Sequence, residues 1–207
     1  MDIKGDSYYL ENIPAKDRKR FQKIKKHNLI IANDILVKNN VTFWIADGTL
    51  LGIYREGDFI LWDNEIDLDV FIENLFPKID SLKEDFLKAG FMVDVSKDLN
   101  NTKINLFRNM SKVSIRGLYL CPEYENNKYR LSKGYRYPKS FYDVFGKIEF
   151  KGNSYKTPNP IKDYLNYVYG KGWKISVRYK KHLYSDWKNR GVKLTKEDRN
   201  IINNLIG

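Results

Sequence analysis

The chain has 207 residues, 42% of them hydrophobic and 14% aromatic, enough to bury one sizeable core but cramped for a second independent domain. Its formal net charge of +11 invites a polyanionic partner, while the single cysteine, Cys121, excludes an internal disulfide, and the two separated histidines, His27 and His182, argue against a structural zinc site. No apolar run reaches the length of a membrane span, and Met1-Asp-Ile-Lys-Gly-Asp6 lacks the apolar stretch of a signal peptide, so the expected address is the cytosol.

In chain order, Pro14 opens a predicted helix to about Lys38, with Phe21, Ile24, Ile31 and Ile35 near one face at core spacing. Val41 to Ala46 reads as the first strand. Gly48 and Gly52 then bracket Thr49-Leu-Leu51 at the start of a short helix, and an acidic strand follows to Val70. Pro77 starts a further helix carrying Ile79, Leu82 and Phe86 inward, and Gly90 stops it before a strand from Phe91 to Val95. Later strands are expected over Lys103 to Arg108 and Val113 to Cys121, around the turn Asn109-Met-Ser111, and near Ile148 to Tyr155. Residues 160 to 169 read as helix with Gly170 as terminator, and Thr195-Lys-Glu-Asp198 opens a last amphipathic helix carrying Ile201, Ile202 and Leu205. The expected fold is α/β with a mixed sheet and flanking helices. One domain is expected over 1–207, with 1–14 as a lead-in and 179–207 as a C-terminal helical extension.

The acidic strand carries the chemistry. Successive strand residues point to opposite faces, so Asp63, Glu65, Asp67 and Asp69 are expected to share one face while Ile66, Leu68 and Val70 take the other. Carboxylates at that density repel one another and call for a cation, and a row of oxygen-only ligands suits Mg²⁺ or Mn²⁺. An isolated Asp-x-Asp is more often an exposed amphipathic strand, but four acids in a row behind a glycine turn are harder to read that way. The turn itself supplies a phosphate site, because free N–H groups and the positive dipole end of a helix gather at its start. Metal-assisted phosphoryl transfer is the chemistry that needs both halves.

Gly48-Thr-Leu-Leu-Gly52, Arg55 and the block Trp62-Asp-Asn-Glu-Ile-Asp67 resemble the LicD/fukutin family of the nucleotidyltransferase-fold superfamily. A weaker resemblance covers Gly152 to Pro158, Asp163-Tyr-Leu165 and Tyr169-Gly-Lys-Gly-Trp173, so that it spans roughly residues 20 to 178. The resemblance implies transfer of a phospho-substituent, of phosphocholine or phospho-alditol type, from a CDP-activated donor to a glycan hydroxyl with release of CMP. Lipopolysaccharide, teichoic acid and capsule are acceptors of that class. It implies Glu65 and Asp67 as the central metal pair and Asp63 as a third ligand or the base for the acceptor proton. Gly48 and Thr49 would contact donor phosphate, and Arg55 would clamp it with a guanidinium fork, against the plainer alternative of an ion pair with Glu56 or Asp58.

Two departures alter this pattern. Glu65 stands where the family has Asp, and Asp69 is an added acid, so Asp67 and Asp69 form an alternative metal pair. The later strand, where a further aspartate is expected, reads Ser114-Ile-Arg-Gly-Leu118, and Arg116 cannot ligate a cation; Asp94 is the substitute candidate.

Basic residues concentrate in Lys16 to Lys26 and Lys171 to Lys193. They suit an anionic acceptor or peripheral contact with the inner membrane face, with no specific nucleic-acid target, although lysines scattered among acids also fit a purely compositional origin. The aromatic and cationic run Lys128 to Pro138 reads as a strand-and-turn surface. Competing functions are a nucleotidyltransferase that uses a nucleoside triphosphate and releases pyrophosphate, and a non-catalytic polyanion-binding protein of the same fold. A negative cluster gives the latter no advantage.

Overall fold

The computed structural model describes residues 15–97, 102–120, 129–132 and 135–176. The 1–14 lead-in, Cys121, His182, the helix expected after Thr195, the 179–207 extension and most of the Lys171 to Lys193 run lie outside the described residues.

Helix α1 spans Arg18–Lys38 and buries Phe21, Lys25, Asn28, Leu29, Ala32 and Leu36, a stripe at three- and four-residue spacing. Two members of that stripe are polar, and both reach for partners beyond the helix. The chain turns at Asn39 and Asn40, the latter in left-handed conformation at φ 54°. Strand β1, Phe43–Ile45, leads directly into helix α2, Asp47–Glu56, which Gly57 ends at φ 69°. Strand β2, Glu65–Phe71, follows.

The second predicted helix is split. A short turn α3, Ile72–Leu75, and a 3₁₀ turn, Phe76–Lys78, precede helix α4, Ile79–Lys88, because Pro77 has no N–H for an intrahelical bond. Strands β3 (Met92–Ser96), β4 (Lys103–Arg108) and β5 (Ser111–Leu120) come next. Asn109 and Met110, both at positive φ, form the two-residue turn between β4 and β5. Strands β6 (Tyr129–Ser132) and β7 (Tyr135–Pro138) pair with one another, in the stretch expected to be strand and turn. The single strand expected near 148–155 is a hairpin, β8 (Gly146–Phe150) and β9 (Asn153–Thr157), because Lys151 and Gly152 both adopt positive φ and reverse the chain. Helix α5 covers Ile161–Tyr169, and the turn Lys171–Lys174 follows Gly170.

The main sheet is mixed, in the order β1-β2-β5-β4-β3, with β6 paired to β5 and β7 to β6. Only β2 and β5 run parallel among these pairs. The excursion through α3, α4, β3 and β4 therefore brings β5 back beside the acidic strand. Ile66, Leu68 and Val70 share a buried core with Leu29 and Leu36 of α1 and Leu82 and Phe86 of α4. Lys38 and Asn39 at the end of α1 both bond Asp85 of α4, at 3.1 and 2.9 Å. Among the described residues no helix is long and apolar enough to cross a membrane.

Gly52 fixes where α2 lies. A Cβ there would stand 2.7 Å from the Ile60 nitrogen and 2.8 Å from the Asp58 carbonyl oxygen, so α2 touches backbone of the loop leading to the acidic strand. Helix propensity favours Ala over Gly by about 1 kcal/mol, but overlap with backbone costs about 1–3 kcal/mol. Gly52→Ala is therefore expected to lower the unfolding free energy in urea; an unchanged or higher value would show that the loop yields freely.

Candidate active site

Three of the four acids lie along β2 as the alternation requires: Glu65, Asp67 and Asp69 alternate with the fully buried Ile66, Leu68 and Val70. Asp63 does not extend that row. It sits in a turn closed by its N–H to the Ile60 carbonyl at 3.1 Å, and its Oδ1 accepts the Glu65 N–H at 2.9 Å. The expected single line of four carboxylates is thus a strand of three with a fourth curled beside it.

Strand β5 answers the acids residue for residue. In the parallel register Glu65 faces Lys112, Asp67 faces Ser114 and Asp69 faces Arg116. Lys112 Nζ reaches Glu65 Oε1 at 2.9 Å, and Arg116 Nε reaches Asp69 Oδ1 at 2.6 Å. Asp69 is buried and committed to a guanidinium, so the alternative metal pair of Asp67 and Asp69 is revised, as is Asp69 as a ligand. Glu65, paired to Lys112, stays partly exposed at the edge of the cluster.

The junction between β1 and α2 holds Asp67 from the other side. The Ala46 N–H donates to the Asp67 carbonyl at 3.1 Å, and the Asp67 N–H donates to Thr49 Oγ1 at 2.8 Å. The Gly48 N–H donates to Asp67 Oδ2 at 3.1 Å. A Cβ on Gly48 would lie 2.6 Å from Asp63 Oδ2 and 3.4 Å from Asp67 Oδ2, so the two carboxylates flank the space that glycine leaves open and a side chain there would push Asp63 aside. Thr49 is buried. Gly48 and Thr49 were expected to touch donor phosphate; here the amide of one and the hydroxyl of the other are turned to Asp67.

Arg55 has also found other partners. Its Nη1 donates to the Trp173 carbonyl at 2.9 Å and more distantly to that of Ile175, and its Nε donates to Glu56 at 3.1 Å. It lies two helical turns from Gly48, about 10 Å along the axis. These bonds strap α2 to the turn after α5, and the expected phosphate clamp would require breaking them. Asp94 is on β3, three strand spacings from β2, roughly 14 Å away. Its Oδ2 accepts from Asn105 Nδ2 at 2.9 Å, and it takes no part in the cluster.

Four residues of the site were not anticipated. Lys25 of α1, 1% exposed, donates from Nζ to the Asp63 carbonyl at 2.9 Å and lies 4.5 Å from the Phe59 ring centroid. Arg116 donates from Nη1 to Asp47 Oδ2 at 2.5 Å, while the Tyr164 hydroxyl donates to Asp47 Oδ1 at 3.0 Å. Asp47 itself has φ 41°, an uncommon conformation for a non-glycine residue. Signals for these residues existed in sequence: Lys25 and Asn28 fall on the apolar stripe of α1, and Lys112, Ser114 and Arg116 alternate with Val113 and Ile115 as a cationic echo of β2.

Electrostatics follow from this enclosure. Burial pushes the Asp67 carboxyl well above its ordinary pKa, with Glu65, Asp47 and Asp63 adding to the rise and Arg116 opposing it. Burial likewise raises Asp63, against Lys25 and the Glu65 N–H. Lys25 is lowered by burial although Asp63, Asp67, Glu65 and Asp58 all favour its charge. For Arg116, the lowering by burial is outweighed by Asp47 and Asp69, and the guanidinium stays charged. Among the described residues no three His, Cys, Asp or Glu side chains gather as a metal cage. Asp63 and Asp67 nonetheless fit one hard divalent cation: they offer oxygen donors, flank one glycine, and have carboxyls raised by burial, an effect a cation beside them would oppose.

A stability measurement without metal tests this environment. The folded chain keeps protons on Asp63 and Asp67 to higher pH than an unfolded chain, whose aspartates titrate near 3.8. Between 3.8 and the raised values the folded state binds more protons, so their contribution to stability is full at low pH and falls as pH rises. In EDTA at pH 7, Asp67→Asn is expected to unfold at higher urea than the wild type, the gap closing toward pH 4. Mg²⁺ should raise the wild-type midpoint and leave that of the variant nearly unmoved. A variant less stable than wild type in EDTA at pH 7 would refute the buried-charge account.

The family described as LicD/FKTN/FKRP, nucleotidyltransferase domain, matches residues 40–160. Ribitol-5-phosphate transferase FKTN of Mus musculus is 27% identical over 183 residues, covering 82% of this chain and 36% of that protein. The Homo sapiens protein of the same name is 29% identical over 169 residues, 76% of this chain and 35% of that protein. The chain thus spans about a third of the length of the FKTN proteins it matches. The solution structure of the antibiotic-resistance factor ANT(2'')-Ia superposes with a TM-score of 0.50 at 12% identity, covering 89% of this chain and 92% of that one, a likeness of fold alone. By the family match over its acidic strand and sheet, the chain belongs to the LicD/FKTN/FKRP nucleotidyltransferase-domain family.

Proposed function

We propose that this chain is a phosphotransferase that moves a phospho-alditol group from a CDP-activated donor to a glycan hydroxyl and releases CMP. The observation that carries the reading is the pairing of Asp63 and Asp67 around Gly48, at the start of a helix and beside a parallel strand of counter-charges. The names of the FKTN relatives, ribitol-5-phosphate transferases, favour an alditol over choline as the transferred group.

The residue roles follow from their surroundings. Asp67 and Asp63 would hold Mg²⁺ or Mn²⁺, and the ion, when bound, neutralises charge on the transferring phosphoryl group. Gly48 and Thr49 fix Asp67 through the bonds already described, so they act on the donor through that carboxylate. Glu65, 32% exposed and ion-paired to Lys112 at 2.9 Å, is accessible to an acceptor. It takes the hydroxyl proton as the acceptor oxygen bonds to phosphorus and the bond to CMP breaks.

Incubating the full chain and Mg²⁺ with CDP-ribitol and a hydroxyl acceptor should release CMP in step with product. Asp67→Asn, folded, is expected to lose at least ~100-fold in rate, about 2.7 kcal/mol of barrier lowering. Release of pyrophosphate from a nucleoside triphosphate, with CDP-linked donors untouched, would overturn the reading, as would a folded Asp67→Asn chain with near-normal turnover.

A further inference from the structure

Arg116 is a charged side chain only 7% exposed, in the middle of the sheet and in register with the last acid of β2. Its two bonded nitrogens serve different elements: Nε binds Asp69 on β2 and Nη1 binds Asp47 at the head of α2. A planar fork can bridge two carboxylates in this way, whereas an ammonium is a point charge. Asp47 is held on its other oxygen by Tyr164 and keeps its positive φ, and the next residue is Gly48, whose N–H fixes Asp67. The clamp therefore has two consequences. It commits Asp47 and Asp69 to a fixed cation, and it sets the corner that orients Asp67.

We propose that Arg116 is the resident cation of the site, supplying by side chain the charge that a second divalent ion would bring, so that one divalent ion binds per chain, through Asp63 and Asp67. Arg116 is thereby also a positioning residue for Asp67. The kinetic part rests on the phosphotransferase reading; the metal count does not.

The test begins with the metal-stripped full chain titrated with Mn²⁺, free ion being followed by electron paramagnetic resonance. One ion per wild-type chain is expected, and two of comparable affinity overturn the proposal. This count needs no donor, so its failure and the failure of the proposed activity are separately visible. Arg116→Lys keeps a charge but loses the fork. It should still bind one Mn²⁺, with kcat at least 30-fold lower and the KM for donor within 3-fold. A folded Arg116→Lys chain with wild-type kcat, or with its loss confined to KM or to melting temperature, overturns the positioning role. Arg116→Met removes the cation, and where folded it should bind a second Mn²⁺ at the released carboxylates; a folded variant that stays at one ion counts against the charge-substitution argument. If Arg116→Met does not fold, the wild-type count and the Lys variant still decide.

Discussion

Carboxylates packed against one another must be compensated, and the parallel pairing of β2 with β5 is what makes that possible. Parallel register sets each acid of one strand beside a fixed neighbour of the next, so Glu65 meets Lys112 and Asp69 meets Arg116. A one-residue slip would turn every one of these side chains to the apolar face and leave charges in the core. The crossover through α4 and β4 is therefore more than a connection: it delivers the cations in phase. Asp67 alone of the β2 acids faces a neutral partner, Ser114, and burial pushes its carboxyl well above its ordinary pKa.

The other constraint is closeness at Gly48. The same missing side chain that admits Asp63 Oδ2 allows the backbone amide to approach Asp67. Glycine here serves carboxylate placement, and the phosphate-cradling role that its sequence context suggests becomes indirect. Thr49 shows the same shift, since its hydroxyl accepts a backbone N–H and is enclosed. A helix start can thus organise a phosphoryl-transfer site by orienting ligands as well as by touching phosphate.

Much of this was legible in the sequence where periodicity carries the signal. The alternation of Glu65 to Val70 and the stop at Gly90 depend on neighbours a few residues away and appeared as expected. The stripe of α1, by contrast, is displaced: of Phe21, Ile24, Ile31 and Ile35 only Phe21 is buried, because Lys25, Asn28, Leu29, Ala32 and Leu36 face the core instead. The hairpin at Lys151-Gly152 was missed because the positive-φ turn at those two residues splits what read as one strand into two short ones. Long-range pairings were not legible in the same way. Arg55 stands close behind the glycine turn in sequence, yet Trp173, 118 residues away, claims its guanidinium. Asp94 is a carboxylate on a strand, but sheet order places β4 and β5 between it and β2.

Arg116 shows most clearly why type and position alone do not settle a role. Read along the chain, a cation where an acid was expected looks like a defect in a metal site. In three dimensions its guanidinium closes the gap between β2 and α2. Without the guanidinium, Asp47 and Asp69 would be buried carboxylates lacking their cation, at a cost of several kcal/mol each, and Asp47 would lose one of the bonds that hold its positive φ. Burying one arginine between two aspartates removes both problems but leaves the group short of positive charge. Asp63 and Asp67, beside that clamp, are offset by the buried Lys25 and the Glu65 N–H at Asp63 and by Arg116 at Asp67, and burial still raises both. The deficit therefore concentrates at the two carboxylates that Gly48 brings together, which is where a cationic or proton-donating partner gains the most from binding.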